Sequence, residues 1–165
     1  KNKNPFSPAV LSVTSVIGGK ATNVFPEFAA MQGTLRTFDE GLRSKLHKLI
    51  ENNSRQLASL FDVKCDVEVR KGFPALINNP ELVDKFKNIS AQLLGSDKVH
   101  SFEPKMWAED FAYFAREVPS VFWFLGVKNA LDNEVVPLHN SKLNPDEQSM
   151  KTGVLTMVNS ALELL

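Results

Sequence analysis

The sequence predicts an α/β chain in two parts: a partial ferredoxin-like β-β-α-β unit over residues 1–77, then a segment of an α/β layer over residues 78–165. Three observations carry this reading. Two β-branched, extended runs precede a long helical stripe. An alternating strand pattern follows the stripe. The pattern of elements then changes at Asn78-Asn79-Pro80, a turn-forming punctuation.

In the first part, Ala9 to Ile17 is rich in Val, Ile and Thr and stops at Gly18-Gly19. Phe28 to Phe38 then continues extended, so the two runs read as a ribbon. Thr37 and Glu40 stand at capping-box spacing. Beyond them Leu42, Leu46, Leu49, Ile50, Leu57, Leu60 and Phe61 recur at three- and four-residue steps, giving one apolar helix stripe. Cys65, Val67 and Val69 then alternate with Asp66, Glu68 and Arg70, which predicts a strand wet on one side. A β-β-α-β order is a split β-α-β sandwich without its opening strand and helix. The resulting open edge should pair with an upstream segment, another chain or another copy.

In the second part, Asn79 as N-cap, Pro80 at the first helical position and Gly95 as stop bound a helix carrying Leu82, Val83, Phe86, Ile89, Leu93 and Leu94. A short strand near Val99 to Phe102, a helix from about Glu109 to Glu117 and a buried strand over Val121 to Leu125 follow. Asn144-Pro145-Asp146-Glu147 opens the closing helix, with Met150, Val154, Met157, Val158, Ala161 and Leu165 on one stripe.

Composition removes several function classes. The 165 residues carry 19 Lys and Arg against 19 Asp and Glu, with no basic stripe interleaved with aromatics, so no nucleic-acid partner is expected. No apolar run approaches the roughly 20 residues that span a bilayer, so no membrane partner is expected. The single cysteine, Cys65, has no partner for a disulfide within the chain and reads as an inert, buried thiol, consistent with a reducing, cytoplasmic setting.

Three segments hold polar residues that packing does not require. Asn23, in Ala21-Thr22-Asn23-Val24-Phe25-Pro26, and Arg36, in Gly33-Thr34-Leu35-Arg36, would suit a carboxylate if they converged, since the arginine fork matches that partner. A turn-stabilising Asn and a solvated Arg explain the same residues. Glu109 and Asp110 open a short helix, where acids favour the dipole, or else one of them buttresses a metal-binding histidine. His139, in Val136-Pro137-Leu138-His139-Asn140-Ser141, lies in a loop of the kind that faces ligand crevices in α/β sheets, although a plain surface histidine fits as well. His47 and His100 read as structural or solvated.

The order of these blocks resembles the metallopeptidase and amidohydrolase family of aminoacylases, hippurate hydrolases, indole-acetyl-amino-acid hydrolases and glutamate-type carboxypeptidases. The resemblance runs through residues 8–13, Ile-Gly-Gly at 17–19, residues 21–26 and 33–36, Glu-Asp-Phe-Ala at 109–112, Val-Pro with a following Phe at 118–122, Leu-Gly at 125–126 and Pro-Leu-His at 137–139. It implies that 1–77 is a lid or dimerisation domain lacking its opening strand and helix, and that 78–165 is the C-terminal part of the catalytic domain.

The resemblance further implies two divalent metal ions, zinc or manganese, and a glutamate base that lies upstream, with no catalytic base in this chain. His139 matches the family's last metal-binding histidine. Asn23 and Arg36 match substrate-binding lid positions, and Glu109 and Asp110 match an acidic pair near the metals. Trp107 and Ala108 depart from the small residues usual before that pair, and Asn140-Ser141 from the usual Ser-Pro after the histidine. The Glu-Asp-Phe block points to the amidohydrolase branch, so the implied substrate is an N-acyl amino acid or small peptide, and the implied assembly a homodimer through the lid. With one ligand of its own, the chain is expected to hold no metal tightly and to be silent alone. The alternative is a dimerisation or binding module that retained the lid and lost the chemistry.

Overall fold

A computed structural model describes residues 7–129 and 134–164. It is mixed α/β, as expected: β1 (Ala9–Gly18), β2 (Ala29–Thr37), α1 (Glu40–Leu60), α2 (Pro80–Leu94), a 3-10 turn over Ser96–Lys98, α3 (Ala112–Glu117) and α4 (Glu147–Leu164). Two compact units are present, one reaching to Leu76 and including Pro104–Tyr113, the other comprising Ile77–Glu103 and the chain from Phe114 onward.

In the first unit β1 and β2 form the expected antiparallel ribbon, pairing Ala9 with Thr37 and Gly18 with Ala29. The register shifts between Val13 and Ser15, so Thr14 is the extra residue of a bulge. Gly33 sits opposite Val13, and a Cβ there would fall on the carbonyl oxygen of Ser12. Glycine is required at that close approach, and it fixes the register that carries Arg36 opposite Val10.

The cap of α1 differs from the Thr37–Glu40 box. Asp39 is the N-cap, its carboxylate accepting from Leu42 N at 2.9 Å. Thr37 instead donates to Pro8 O at 2.9 Å and accepts from Asp39 N. Asp39, two residues closer to the helix, takes the cap because Thr37 is held as the last residue of β2. Glu40 accepts from Ala75 N at 3.1 Å and pairs with Arg43 at 3.2 Å. At the other end Asp62 takes a left-handed φ of 55°, with Val63 N bonded to Ala58 O and Asp62 N to Ser59 O, a Schellman closure.

The expected strand at Cys65–Arg70 keeps its alternation, with Cys65, Val67 and Val69 half-buried and Asp66, Glu68 and Arg70 exposed, yet it joins no ladder. The residue pattern sets which side faces inward; a ladder also needs a neighbouring strand, and none stands beside it among the described residues. No residue of α1 is fully buried, because the sheet beneath it has only two strands.

In the second unit α2 forms as read, with Asn79 Oδ1 accepting from Leu82 N at 3.0 Å, Pro80 in the first turn and Gly95 closing it at φ 96°. The strands expected at Val99–Phe102 and Val121–Leu125 join no ladder among the described residues. A side chain takes the ladder's place at the second. Asn78 Nδ2 donates to Phe122 O at 2.8 Å and its Oδ1 accepts from Phe122 N at 2.8 Å, so one amide imitates a neighbouring peptide group. Phe86 stacks near Trp123, with ring centroids 5.2 Å apart, and Phe102 near Phe124 at 4.8 Å.

α4 packs against α2 with an unexpected face. Ser149, Thr156 and Ser160 are buried, Thr156 to 2% exposure, while Met150 and Leu162 remain 63% and 71% exposed with Val154, Met157 and Val158 beside them. Of the predicted stripe, Met150, Val154 and Val158 look outward, while Met157 and Ala161 line a cavity with Leu82, Phe86 and Trp123. Leu165, the last member of the stripe, lies outside the described residues. Ala112 and Pro74 are the buried apolar side chains among the described residues, whereas six Ser and Thr side chains are buried. Small hydroxyls let the helices approach, and Thr156 returns its proton to Thr152 O at 2.8 Å within its own helix.

Candidate functional site

The sequence-predicted residues fall at separate places. Asn23 is exposed in the turn that joins β1 to β2. Arg36 is exposed near the far end of β2, its Nη1 3.4 Å from Thr34 Oγ1. Seven residues of strand separate Arg36 from Ala29 at the turn, about 24 Å at ~3.4 Å per residue. The two therefore do not converge on one carboxylate within a single copy of the chain.

Glu109 and Asp110 form the turn that leads into α3. The Glu109 carboxylate accepts from Phe111 N at 3.2 Å, its carbonyl from Ala112 N at 3.4 Å, and the Asp110 carbonyl from Tyr113 N at 3.0 Å. The helix starts at Ala112 rather than at Glu109 because this pair acts as its entry turn. Such a capping role satisfies the Glu109 side chain without any ligand. Nearby, the Phe73 and Tyr113 rings meet edge to face at 6.0 Å within the same unit.

His139 is exposed in a turn with φ 64°. Left-handed backbone is uncommon for a residue with a Cβ, although histidine enters it more often than most, and such strain gathers at ligand-holding positions. The turn is set by the next residue, whose Oδ1 accepts from Lys142 N at 2.9 Å while Asn140 O accepts from Leu143 N. Among the described residues no three His, Cys, Asp or Glu side chains gather where a metal ion could be held. A catalytic zinc takes about three protein ligands. The residues of this chain therefore do not by themselves fit a metal centre, and no hydrolytic step is derived through one.

Sequence reading missed two residues that shape the surroundings. Arg43 lies at the start of α1 with its side chain 13% exposed and reaches three main-chain carbonyls. Asn78 holds the 120s segment as described. Both looked like ordinary surface polar residues, since their partners are carbonyls distant in sequence.

The decisive observation is a match to the family model described as peptidase family M20/M25/M40 over residues 5–163. The chain belongs to this family. Thermostable carboxypeptidase 2 of Saccharolobus solfataricus is 33% identical over 153 residues, covering 92% of this chain and 38% of that protein. The N-acetyldiaminopimelate deacetylase of Bacillus pumilus is 30% identical over 157 residues, covering 95% and 40%. The crystal structure of the Bacillus subtilis YXEP protein, described as a dinuclear metal binding peptidase of the M20 family, superposes with a TM-score of 0.77 at 25% identity, covering 95% of this chain and 42% of that one. The chain thus spans about two fifths of the length of the relatives it matches. Among the described residues no helix is long and apolar enough to cross a membrane.

Proposed function

We propose that the chain is the C-terminal part of a dinuclear-metal amidohydrolase that cleaves the amide bond of N-acyl amino acids or small peptides. Residues 1–77 serve as its lid and dimerisation domain and 78–165 as part of its catalytic domain. The family match over residues 5–163 carries this reading. The named activities of two relatives, a carboxypeptidase and a deacetylase of an acetylated amino acid, share the hydrolysis of an amide next to an amino-acid carboxylate. His139 contributes one ligand to zinc or manganese, and the other ligands and the base come from outside this chain. Asn23 and Arg36 bind substrate. The length of β2 that separates Arg36 from the turn holding Asn23, about 24 Å at ~3.4 Å per residue, supports two copies of the lid serving different sites of a homodimer. Glu109 and Asp110 buttress the metal site, and the whole acts in the cytoplasm.

A chimera tests this. The matched region of the S. solfataricus carboxypeptidase is replaced by this chain, and release of amino acid from an N-acetyl amino acid and from a dipeptide is measured. Hydrolysis should appear, vanish with a chelator, return with zinc or manganese, and fall at least 100-fold in the His139→Ala version. A folded chimera that binds two metal ions and hydrolyses neither substrate would favour the second reading, a binding module with the chemistry lost.

A further inference from the structure

The loop 19–28 joins β1 to β2, and its two arms are tied at the base. Gly18 pairs with Ala29 across the ribbon, Gly19 turns at a left-handed φ of 70°, and the Pro26 ring lies 3.9 Å from where a Cβ on Gly19 would stand. The charged residues of the loop, Lys20 and Glu27, flank that base, one on each arm. They leave Ala21-Thr22-Asn23-Val24-Phe25-Pro26 as an uncharged tip. Within it Val24 is exposed and Phe25 is 98% exposed, and Phe28, just beyond, is exposed as well.

A lone apolar side chain in water needs no explanation, but neighbouring exposed apolar groups mark contact sites, and loops on a fixed scaffold commonly carry them. Phe25 is also held by its neighbour. A residue before proline is kept out of the helical region and stays extended. With the arms tied and Phe25 so restricted, little main-chain freedom remains to be lost when the ring meets a ligand.

Position within the loop identifies that ligand. Two residues of chain span at most ~7 Å, so whatever the Asn23 amide holds lies within reach of the Phe25 ring. In an N-acyl amino acid the carboxylate and the amino-acid side chain are bonded to the same carbon, whereas the acyl group lies farther off, beyond the amide nitrogen. The Asn23 amide offers two donors to a carboxylate. The phenyl ring, with its negative face, suits an apolar group instead.

We infer that Phe25 is a specificity-determining residue that contacts the side chain of the released amino acid, and that the preferred substrates release large apolar amino acids such as phenylalanine or leucine. The inference deepens the amidohydrolase reading and rests on it for the role of Asn23. Glycine gives the ring nothing to cover, and glutamate brings a second carboxylate to an uncharged tip.

The test uses the same chimera, with kcat/KM measured for N-acetyl-L-phenylalanine, N-acetylglycine and N-acetyl-L-glutamate. The phenylalanine substrate should be preferred at least tenfold over each of the others. Phe25→Ala should reduce that preference at least tenfold, through KM rather than kcat. Phe25→Leu, which keeps a large apolar side chain, should retain most of it. The thermal midpoint should not move in either variant, because a fully exposed side chain supports no packing. No preference, or a preference that survives Phe25→Ala, would overturn the inference. So would loss of the homodimer in Phe25→Ala with the preference intact, since the ring would then belong to a subunit contact. If the folded chimera hydrolyses none of the three, equilibrium dialysis with N-acetyl-L-phenylalanine decides. Binding weakened at least tenfold by Phe25→Ala would uphold the contact while removing the hydrolase reading. Absent binding, or binding indifferent to the substitution, would remove the contact as well.

Discussion

Replacing Arg43 by Met should destabilise the first unit by about 2 kcal/mol, with the loss localised at the end of residues 64–75. A cation in the first turn of a helix opposes the helix dipole, so its place at the start of α1 has to be justified by its partners. Of these, the contact with Phe73 O at 2.5 Å is the strongest, and a hydrogen bond from a charged donor contributes about 1.5–3 kcal/mol. The contacts at 3.4 Å to Lys71 O and Thr37 O are long and add little. The Glu40 pair is partly exposed and contributes about 0–1 kcal/mol. Against this, Arg43 Nε is buried without a partner, so methionine, which keeps the apolar stem, relieves roughly 1 kcal/mol of desolvation. Lysine offers one point donor in place of a fork and should lose about half as much as methionine. Urea unfolding followed by far-UV circular dichroism at 25 °C gives the difference, and exchange at Ala75 N localises it. A Met variant within 0.5 kcal/mol of the parent would refute the reasoning, because the carbonyl bridge would then contribute nothing.

Gly33→Ala should cost roughly 1–2 kcal/mol, since overpacking of this kind costs ~1–3 kcal/mol and the reduced freedom of the unfolded chain returns ~0.4–1 kcal/mol; a thermal midpoint equal to or above the parent's would show that Ser12 O yields freely. Asn78→Ala should destabilise the second unit by about 2–3 kcal/mol, because both main-chain groups of Phe122 lose their partner. Asn78→Asp keeps the acceptor but turns a carboxylate toward Phe122 O, which raises the folded pKa of the new carboxyl. Its stability should therefore be highest below the ordinary aspartate pKa and fall as pH rises, as read from melts between pH 3 and pH 7, which bracket that value of ~3.9. Hydrogen bonding to Arg70, and secondarily its charge, hold the Glu68 carboxyl below the usual glutamate value. Any stabilisation from that pair is present above the unfolded pKa and lost as pH falls through the folded one. Side-chain carboxyl NMR should show Glu68 titrating low and returning to the ordinary value in Arg70→Ala.

Elements whose signals are local were readable from the residues. Asn79-Pro80 and Gly95 bound α2 because a cap, a first-turn proline and a left-handed stop act within a few residues of chain. The β1–β2 ribbon was readable for the same reason. What was not readable depends on distant partners. Asp39 displaced Thr37 as cap only because β2 holds Thr37 against Pro8, 29 residues away. The role of Asn78 required Phe122, 44 residues on. The site was legible as a set of matched blocks. The separation of Asn23 from Arg36 became visible only once the register between β1 and β2 was known.

The outward stripe of α4 shows why a pattern can be read correctly and still mislead. Periodicity tells which residues share a face, and Met150, Val154, Met157 and Val158 do share one. Which face is buried is decided by the surfaces available to meet it. Here α4 packs against α2, whose own buried residue is Ser90, and the side chains α4 buries are Ser149, Thr156 and Ser160. Among the described residues the broad apolar face has no laddered sheet to lie on. The stretches at Val99–Phe102 and Val121–Leu125, which would belong to such a layer, join no ladder in the same unit. The same deficit recurs at α1 above two strands. A chain that spans two fifths of its relatives' length carries the faces of a full α/β fold and only part of what they pack against. The inverted burial of α4 is therefore the expected consequence of an apolar pattern written for a larger layer.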